Sequence, residues 1–375
     1  MEIFFTCGQF SYDTGVGKFS INLVPKLMRK HDVTLITSSY KHKIDGLKVC
    51  QYDIRSYTPA VKGMSLAMSG TAAVAKLEKS KKPDIVHSQG EILRHDIVSI
   101  HGVHRAWIDE VRTEKGALYR LASMAHPATC VALLLERKVL ESKYKAVTVD
   151  SKQVRDDLLR HYDMNKDEIF VIPHGINMAD FHASNARREA IRRKIRRSYG
   201  IGNEPVLLFI GKAFFKKGLA EIIGAMSGVP KVKLIVVGDD NPAPFRELAR
   251  KAGIVNRVIF TGPVPNVSEY YFAADIFVFP TRHEPFGMVI TEAMASGLPV
   301  ITSKEAGATE IMKNGKDAMI MDDPRNVGDL RDKISVLVEN DKLRKKITSN
   351  GMKTAATTDW EITYKKFEKL YRVIA

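Results

Sequence analysis

The chain has 375 residues, 45% of them hydrophobic, and carries a formal net charge of +15. That length suits two domains of ordinary size with sizeable buried cores, and the basic balance favours anionic partners: phosphorylated substrates, anionic lipid surfaces or nucleic acid. Three scattered cysteines, Cys7, Cys50 and Cys130, exclude a disulfide scaffold and suggest a reducing compartment, and the chain holds no uncharged span of 18 residues.

The first elements read as strand, glycine loop and helix: "EIFFTC", "YDTGVG" and "KFSINLVPKLMRK", followed by the strand "DVTLITS". Further short apolar runs lie at 84–89, 97–102 and 146–151. The best candidate for a membrane span, 117–135, carries Arg120, His126 and Pro127 and is rejected on that ground. The start, "MEIFFTCGQF", lacks a basic leader, so no signal peptide is expected and a cytoplasmic location is. The pattern pauses at 173–204 and restarts with strands at 205–211, 233–239, 257–262, 275–280, 298–303 and 318–323. Strands alternating with helices predict two doubly wound parallel α/β domains. The expected boundaries are 1–172, a linker at 173–204, and 205–357, with a terminal helix at 358–375 packing back on the first domain. Ligands of such folds bind outside the carboxyl ends of the strands, so the natural site is a cleft between the domains.

Four loops fall at predicted strand ends. "TGVG" (14–17) places Gly15 and Gly17 before a helix, where free N–H groups suit a phosphate; a plain tight turn fits as well. "GKAFFKKG" (211–218) brings Lys212 and Lys217 to a strand end, where lysine can neutralise charge on a departing diphosphate, although solvated surface lysine is the commoner role. "SIHGVHRAW" (99–107) holds His101 and His104, with no carboxylate or cysteine at ligand spacing, so no metal site is expected there. "EPFGMVITEAMASGLPV" (284–300) sets Glu284 and Glu292 eight residues apart. On one helix they would diverge by roughly 80° and ~12 Å. Pro285 and Gly287 instead put Glu284 in the entry loop and Glu292 inside the helix, an arrangement that can hold an extended anionic ligand. Acidic residues favoured by the helix dipole are the plainer reading.

"RHEPFGMVITEAMASGLPVITS" resembles the E-x7-E signature of glycosyltransferase family 4, retaining nucleotide-sugar transferases of the GT-B fold. "IGKAFFKKG" resembles that family's G-R-L-x-x-x-K-G segment, and "VIPHGINMADF" its V-I-P-N-G-V-D-x-x-x-F segment, with His174 and Asn177 replacing Asn and Asp. "EKGALYRLAS", "ERKVLE" and "VVGDDNPAPFRELARKAG" resemble the lipopolysaccharide core glucosyltransferase I type. The resemblance implies that Glu292 holds the ribose, that Glu284 meets the donor sugar, and that the backbone at Phe286, Gly287 and Met288 approaches the sugar and diphosphate. It implies that Lys212, Lys217 and Gly15 serve the diphosphate, that Val264 lies beside the base, and that His101 stands near the reacting sugar; Lys217, Glu284 and His101 are the expected catalytic residues. Thr14-Gly15 replaces the family's Gly-Gly pair.

The expected activity is metal-independent, retaining transfer of a hexose, with UDP-glucose as donor, to a hydroxyl of a lipopolysaccharide core or other envelope glycan. No Asp-x-Asp motif occurs in the chain, and no cofactor is expected. Front-face departure fits better than double displacement, because no carboxylate pair is arranged as in glycosidases. Nucleic acid is not an expected partner of the enzyme. The rival reading is a basic anionic-surface or nucleic-acid binding module without transferase activity, resting on the charge and on "RREAIRRKIRRSYG" (187–200). There Ile191, Ile195 and Tyr199 form a stripe, so that a packed helix with a solvated basic face competes with peripheral attachment to an anionic membrane.

Overall fold

The computed structural model describes residues 1–110 and 125–375. The segment "EKGALYRLAS" (114–123) and much of the rejected 117–135 span therefore lie outside the described residues. The chain divides into two compact units, Met1–Gly175 with Trp360–Ala375, and Ile176–Asp359.

The first unit is built on a seven-stranded sheet in which every neighbouring pair is parallel. Its strands are β1 (Glu2–Thr6), β3 (Asp32–Thr37), β5 (Lys48–Gln51), β6 (Ile85–Ser88), β7 (Ile97–Ile100), β8 (Ala146–Val149) and β9 (Ile169–Val171). They run in the order β5-β3-β1-β6-β7-β8-β9, while β2 (Gln9–Phe10) pairs with β4 (Ser39–Tyr40) beside them. The central strands are continuous apolar runs because both sheet faces are covered: Ile3, Phe4 and Phe5 are 0–1% exposed. Helix Gly15–Leu27 starts at Thr14, whose Oγ1 accepts the Gly17 N–H at 3.0 Å. The terminal helix, Trp360–Ile374, returns to this unit and sets Trp360, Tyr364, Phe367 and Tyr371 in the core with Ile3, Phe5 and Phe19. Spacings of four, three and four residues place those aromatics on one face, as the sequence predicts.

The second unit has six parallel strands: β10 (Val206–Ile210), β11 (Lys233–Val237), β12 (Val258–Gly262), β13 (Ile276–Phe279), β14 (Val300–Ser303) and β15 (Met319–Met321). Their order, β12-β11-β10-β13-β14-β15, reverses direction between β10 and β13. That reversal is the switch point at which doubly wound sheets bind ligands. Helix Asn185–Ser198, inside the segment read as a linker, belongs to this unit. Its Ile195 is buried, Ile191 and Tyr199 pack on the same core, and Arg192 and Arg196 each reach Asp275 at 2.6 Å. Among the described residues no helix is long and apolar enough to cross a membrane.

Candidate functional site

At the switch point two loops leave the carboxyl ends of β10 and β13. The first, 211–218, crosses a glycine contact: a Cβ on Gly238 would stand 1.8 Å from the Gly211 carbonyl oxygen. Ala213 takes a left-handed φ of 55° and the Phe214 N–H donates to Asp240 Oδ2 at 2.7 Å, which turns the chain back toward the sheet. The second loop is laced to the first. The Arg282 N–H donates to the Lys216 carbonyl at 2.9 Å, the Arg282 guanidinium lies 4.1 Å from the Phe215 ring, and it forms a buried ion pair with Glu221. Buried charges persist only when paired and hydrogen-bonded, and this pair fixes both loops.

Glu284 lies in the entry loop, tied by its backbone to Glu305 and Gly307 at 2.9 Å each, and its carboxylate is ion-paired with Lys217. Lys217 also donates to the His283 carbonyl at 3.2 Å, with its ammonium 5.7 Å from the Phe279 ring. Gly287, with φ 97°, is the N-cap of helix Met288–Ala295, a conformation that side chains rarely adopt. Glu292 lies within that helix, 3% exposed, and accepts the Tyr271 hydroxyl at 3.0 Å. The two glutamates thus stand as their flanking residues predict, one before the helix and one inside it.

Phe286 is buried, Met288 and Val264 are partly buried, and Lys212 is exposed. Val264 follows β12 and packs at the edge of the same core. Sequence reasoning passed over Lys216, His283, Tyr271, Arg282 and Glu221. Burial and the neighbouring Lys217 push the Lys216 ammonium down to about 7, against a smaller opposing pull from Glu284. Burial, with Lys216 and Lys217 beside it, pushes His283 down to about 3, so its imidazole is neutral near pH 7. The available signal was the density of titratable residues in "KKG" and "TRHEP".

In the first unit Gly15 is exposed at the head of its helix, with open space where a Cβ would stand, whereas a Cβ on Gly17 would meet the Ser11 carbonyl at 2.2 Å. His101 follows β7. Its Nδ1 lies 3.1 Å from Asp150 Oδ2 and its Nε2 2.9 Å from Gln89 Oε1. His174 Nε2 reaches Asp150 Oδ1 at 2.8 Å, and Phe19 packs on both imidazoles. Although burial opposes it, the two histidines hold the Asp150 carboxyl below the usual carboxylate range. The carboxylate missing from the His101–His104 spacing is therefore supplied in space by Asp150, from the end of β8; His101, Asp150 and His174 offer ligand-type atoms within 4.8 Å of one another. Spacing along the chain could not reveal it, because the three residues come from three separate strand ends.

Residues 14–180 match the family described as "Glycosyltransferase Family 4", and residues 191–354 match "Glycosyl transferases group 1". Among curated proteins, the chain is 29% identical to the lipopolysaccharide glucosyltransferase WaaG of Escherichia coli K12 over 262 residues, 68% of each chain. It is also 29% identical to an uncharacterized glycosyltransferase of Methanocaldococcus jannaschii (61% of this chain, 60% of that protein) and to the D-inositol 3-phosphate glycosyltransferase of Corynebacterium diphtheriae (60% and 55%). The matched stretch is thus under two thirds of the length of the last two relatives. The crystal structure of WaaG superposes with a TM-score of 0.80 at 24% identity, covering 100% of this chain and 99% of that one. The Anabaena HepE structure in complex with UDP-glucose superposes with a TM-score of 0.74 at 17% identity, each chain fully covered. The rival reading as a binding module finds no comparable support. With one half matching each transferase family and both sheets wound as in those neighbours, the chain belongs to the GT-B glycosyltransferases and resembles the lipopolysaccharide core glucosyltransferases.

Proposed function

We propose that the protein is a retaining glycosyltransferase that moves a hexose, glucose from UDP-glucose first among the candidates, to a hydroxyl of a lipopolysaccharide core or other envelope glycan. The observation that carries this reading is the placing of Glu284, Gly287 and Glu292 around one helix N-terminus at the sheet's switch point, with Lys217 on Glu284. Glu292 would hold the ribose hydroxyls, Glu284 the sugar, and the helix N-terminus with Lys217 and Lys212 the diphosphate. That WaaG is a lipopolysaccharide glucosyltransferase, and that HepE forms complexes with UDP and glucose and with UDP-glucose, supports a glucosyl donor.

In the proposed reaction the bond from the anomeric carbon to the β-phosphate oxygen breaks, and the diphosphate takes the electron pair. The acceptor oxygen forms the new bond on the same face, and its proton passes to the departing phosphate oxygen. Lys217 and Lys212 would stabilise the developing charge, and His101, fixed by Asp150, would stand near the sugar. With these lysines placed on the diphosphate, the proposed reaction would need no metal there.

The test is release of UDP from UDP-glucose in the presence of a deacylated lipopolysaccharide core, with and without EDTA. Acceptor-dependent release that survives EDTA is expected. Release abolished by EDTA and restored by manganese would overturn metal independence. No release from any nucleotide sugar would overturn the transferase reading.

A further inference from the structure

A cavity of about 610 Å³ opens in the second unit at the amino ends of β13 and β14, beside residues 274–275 and 297–299. It lies at the opposite end of that sheet from the 211–218 and 280–287 loops. Its walls come from helix Asn185–Ser198 and helix Asp341–Ala356. Arg188, Arg192, Arg344, Lys345 and Lys353 face it, against the carboxylates of Asp275 and Asp341.

Those carboxylates are already engaged. Asp275 is held by Arg192 and Arg196 at 2.6 Å each, and Asp341 by Arg344 at 2.6 Å and Lys345 at 2.7 Å. Arg188 and Lys353 have no carboxylate partner among the described residues. Arg188 is partly buried, 5.3 Å from the Phe272 ring. Burial and the neighbouring Arg192 disfavour its charge. A partly desolvated guanidinium without a counter-ion is a standing cost that a bound anion would remove. Thr348 and Ser349 line the same cavity, and a hydroxyl of either can donate to such an anion.

We propose that this cavity binds a phosphate-bearing anion, held by Arg188 and Lys353 with the Arg344 and Lys345 pair beside them. Guanidinium and ammonium groups converging on one space recognise phosphate by charge and by bidentate hydrogen bonding. The phosphate can come from a phospholipid headgroup or from a soluble phosphorylated compound.

The full chain is compared as wild type, as Arg188→Ala/Lys353→Ala, and as Lys194→Ala/Arg197→Ala. The last pair removes equal charge from exposed positions outside the cavity. The probes are inorganic phosphate, by calorimetric titration, and vesicles of phosphatidylcholine with or without phosphatidylglycerol, by co-sedimentation. Thermal unfolding confirms that all three proteins fold. The cavity pair is expected to lose roughly 30-fold in affinity, about fivefold per cation, while the control pair loses less than about threefold. Loss confined to phosphatidylglycerol vesicles assigns the site to a lipid headgroup; loss confined to free phosphate assigns it to a soluble compound. Equal losses in both pairs, or no binding of either probe by the wild type, would overturn the proposal.

Discussion

Arg282 and Glu221 form a charge pair that is 6% and 8% exposed, and the loops carrying the proposed donor-site residues hang on it. Removing one partner of a buried pair leaves the other charge uncompensated, which costs about 3–5 kcal/mol. Glu221→Ala should therefore lower unfolding free energy in urea by that amount, and a loss under about 1 kcal/mol would show the pair to be dispensable. Lys216 makes a different prediction. Its ammonium is held near 7 rather than at 10.5, first by burial and then by Lys217. A base depressed in the folded state is less protonated there than in the unfolded chain over the window between those two values. The unfolded state then binds more protons, and stability rises with pH from about 7 to about 10. Relative to Lys216→Met, the wild type should gain stability as pH rises across that window and differ from the variant by a constant amount below about pH 7. Parallel stability curves for the two proteins across the window would contradict this.

At the level of elements, the helix Met288–Ala295 depends on its left-handed glycine. A Cβ on Gly287 would meet Ile290 Cδ1 at 2.9 Å and Glu284 Cγ at 3.1 Å, in a backbone conformation unfavourable to any side chain. Gly287→Ala should cost about 1–3 kcal/mol in denaturant unfolding, and it should displace Glu284 along with Ile290, because both side chains are struck. A variant as stable as the wild type would show that the turn relaxes freely. The same stretch shows why parts of the fold were legible. Pro285 and Gly287 mark a helix start, so the separate placing of Glu284 and Glu292 could be read from residue types alone. The central strands were legible because burial on both faces makes them unbroken apolar runs. The edge strands β5, "KVCQ", and β9, "IFV", were not: each is short and half-exposed, so neither carries such a run. Helix Asn185–Ser198 showed its apolar stripe, but its attachment did not show, since Arg192 and Arg196 find Asp275 some eighty residues away. Tyr271 beside Glu292 and Asp150 beside His101 were hidden for the same reason.

For the whole molecule, the central claim is that the second unit reads a nucleotide sugar from two ends, the ribose at Glu292 and the sugar at Glu284. Lys217 connects these ends to the chemistry, because its ammonium now rests on the Glu284 carboxylate and would be shared with an incoming diphosphate. Losing Glu284 should leave that lysine available to the diphosphate, whereas losing Glu292 removes a buried acceptor that also takes the Tyr271 hydroxyl. The most direct test is calorimetric titration of UDP and of UDP-glucose into the wild type, Glu284→Ala and Glu292→Ala. Glu292→Ala should weaken both ligands by ~1.5–3 kcal/mol, the worth of a hydrogen bond to a charged group. Glu284→Ala should bind UDP as the wild type does and lose only the added affinity of the glucosyl group. Equal loss of UDP affinity in the two variants, or no loss in either, would contradict the account.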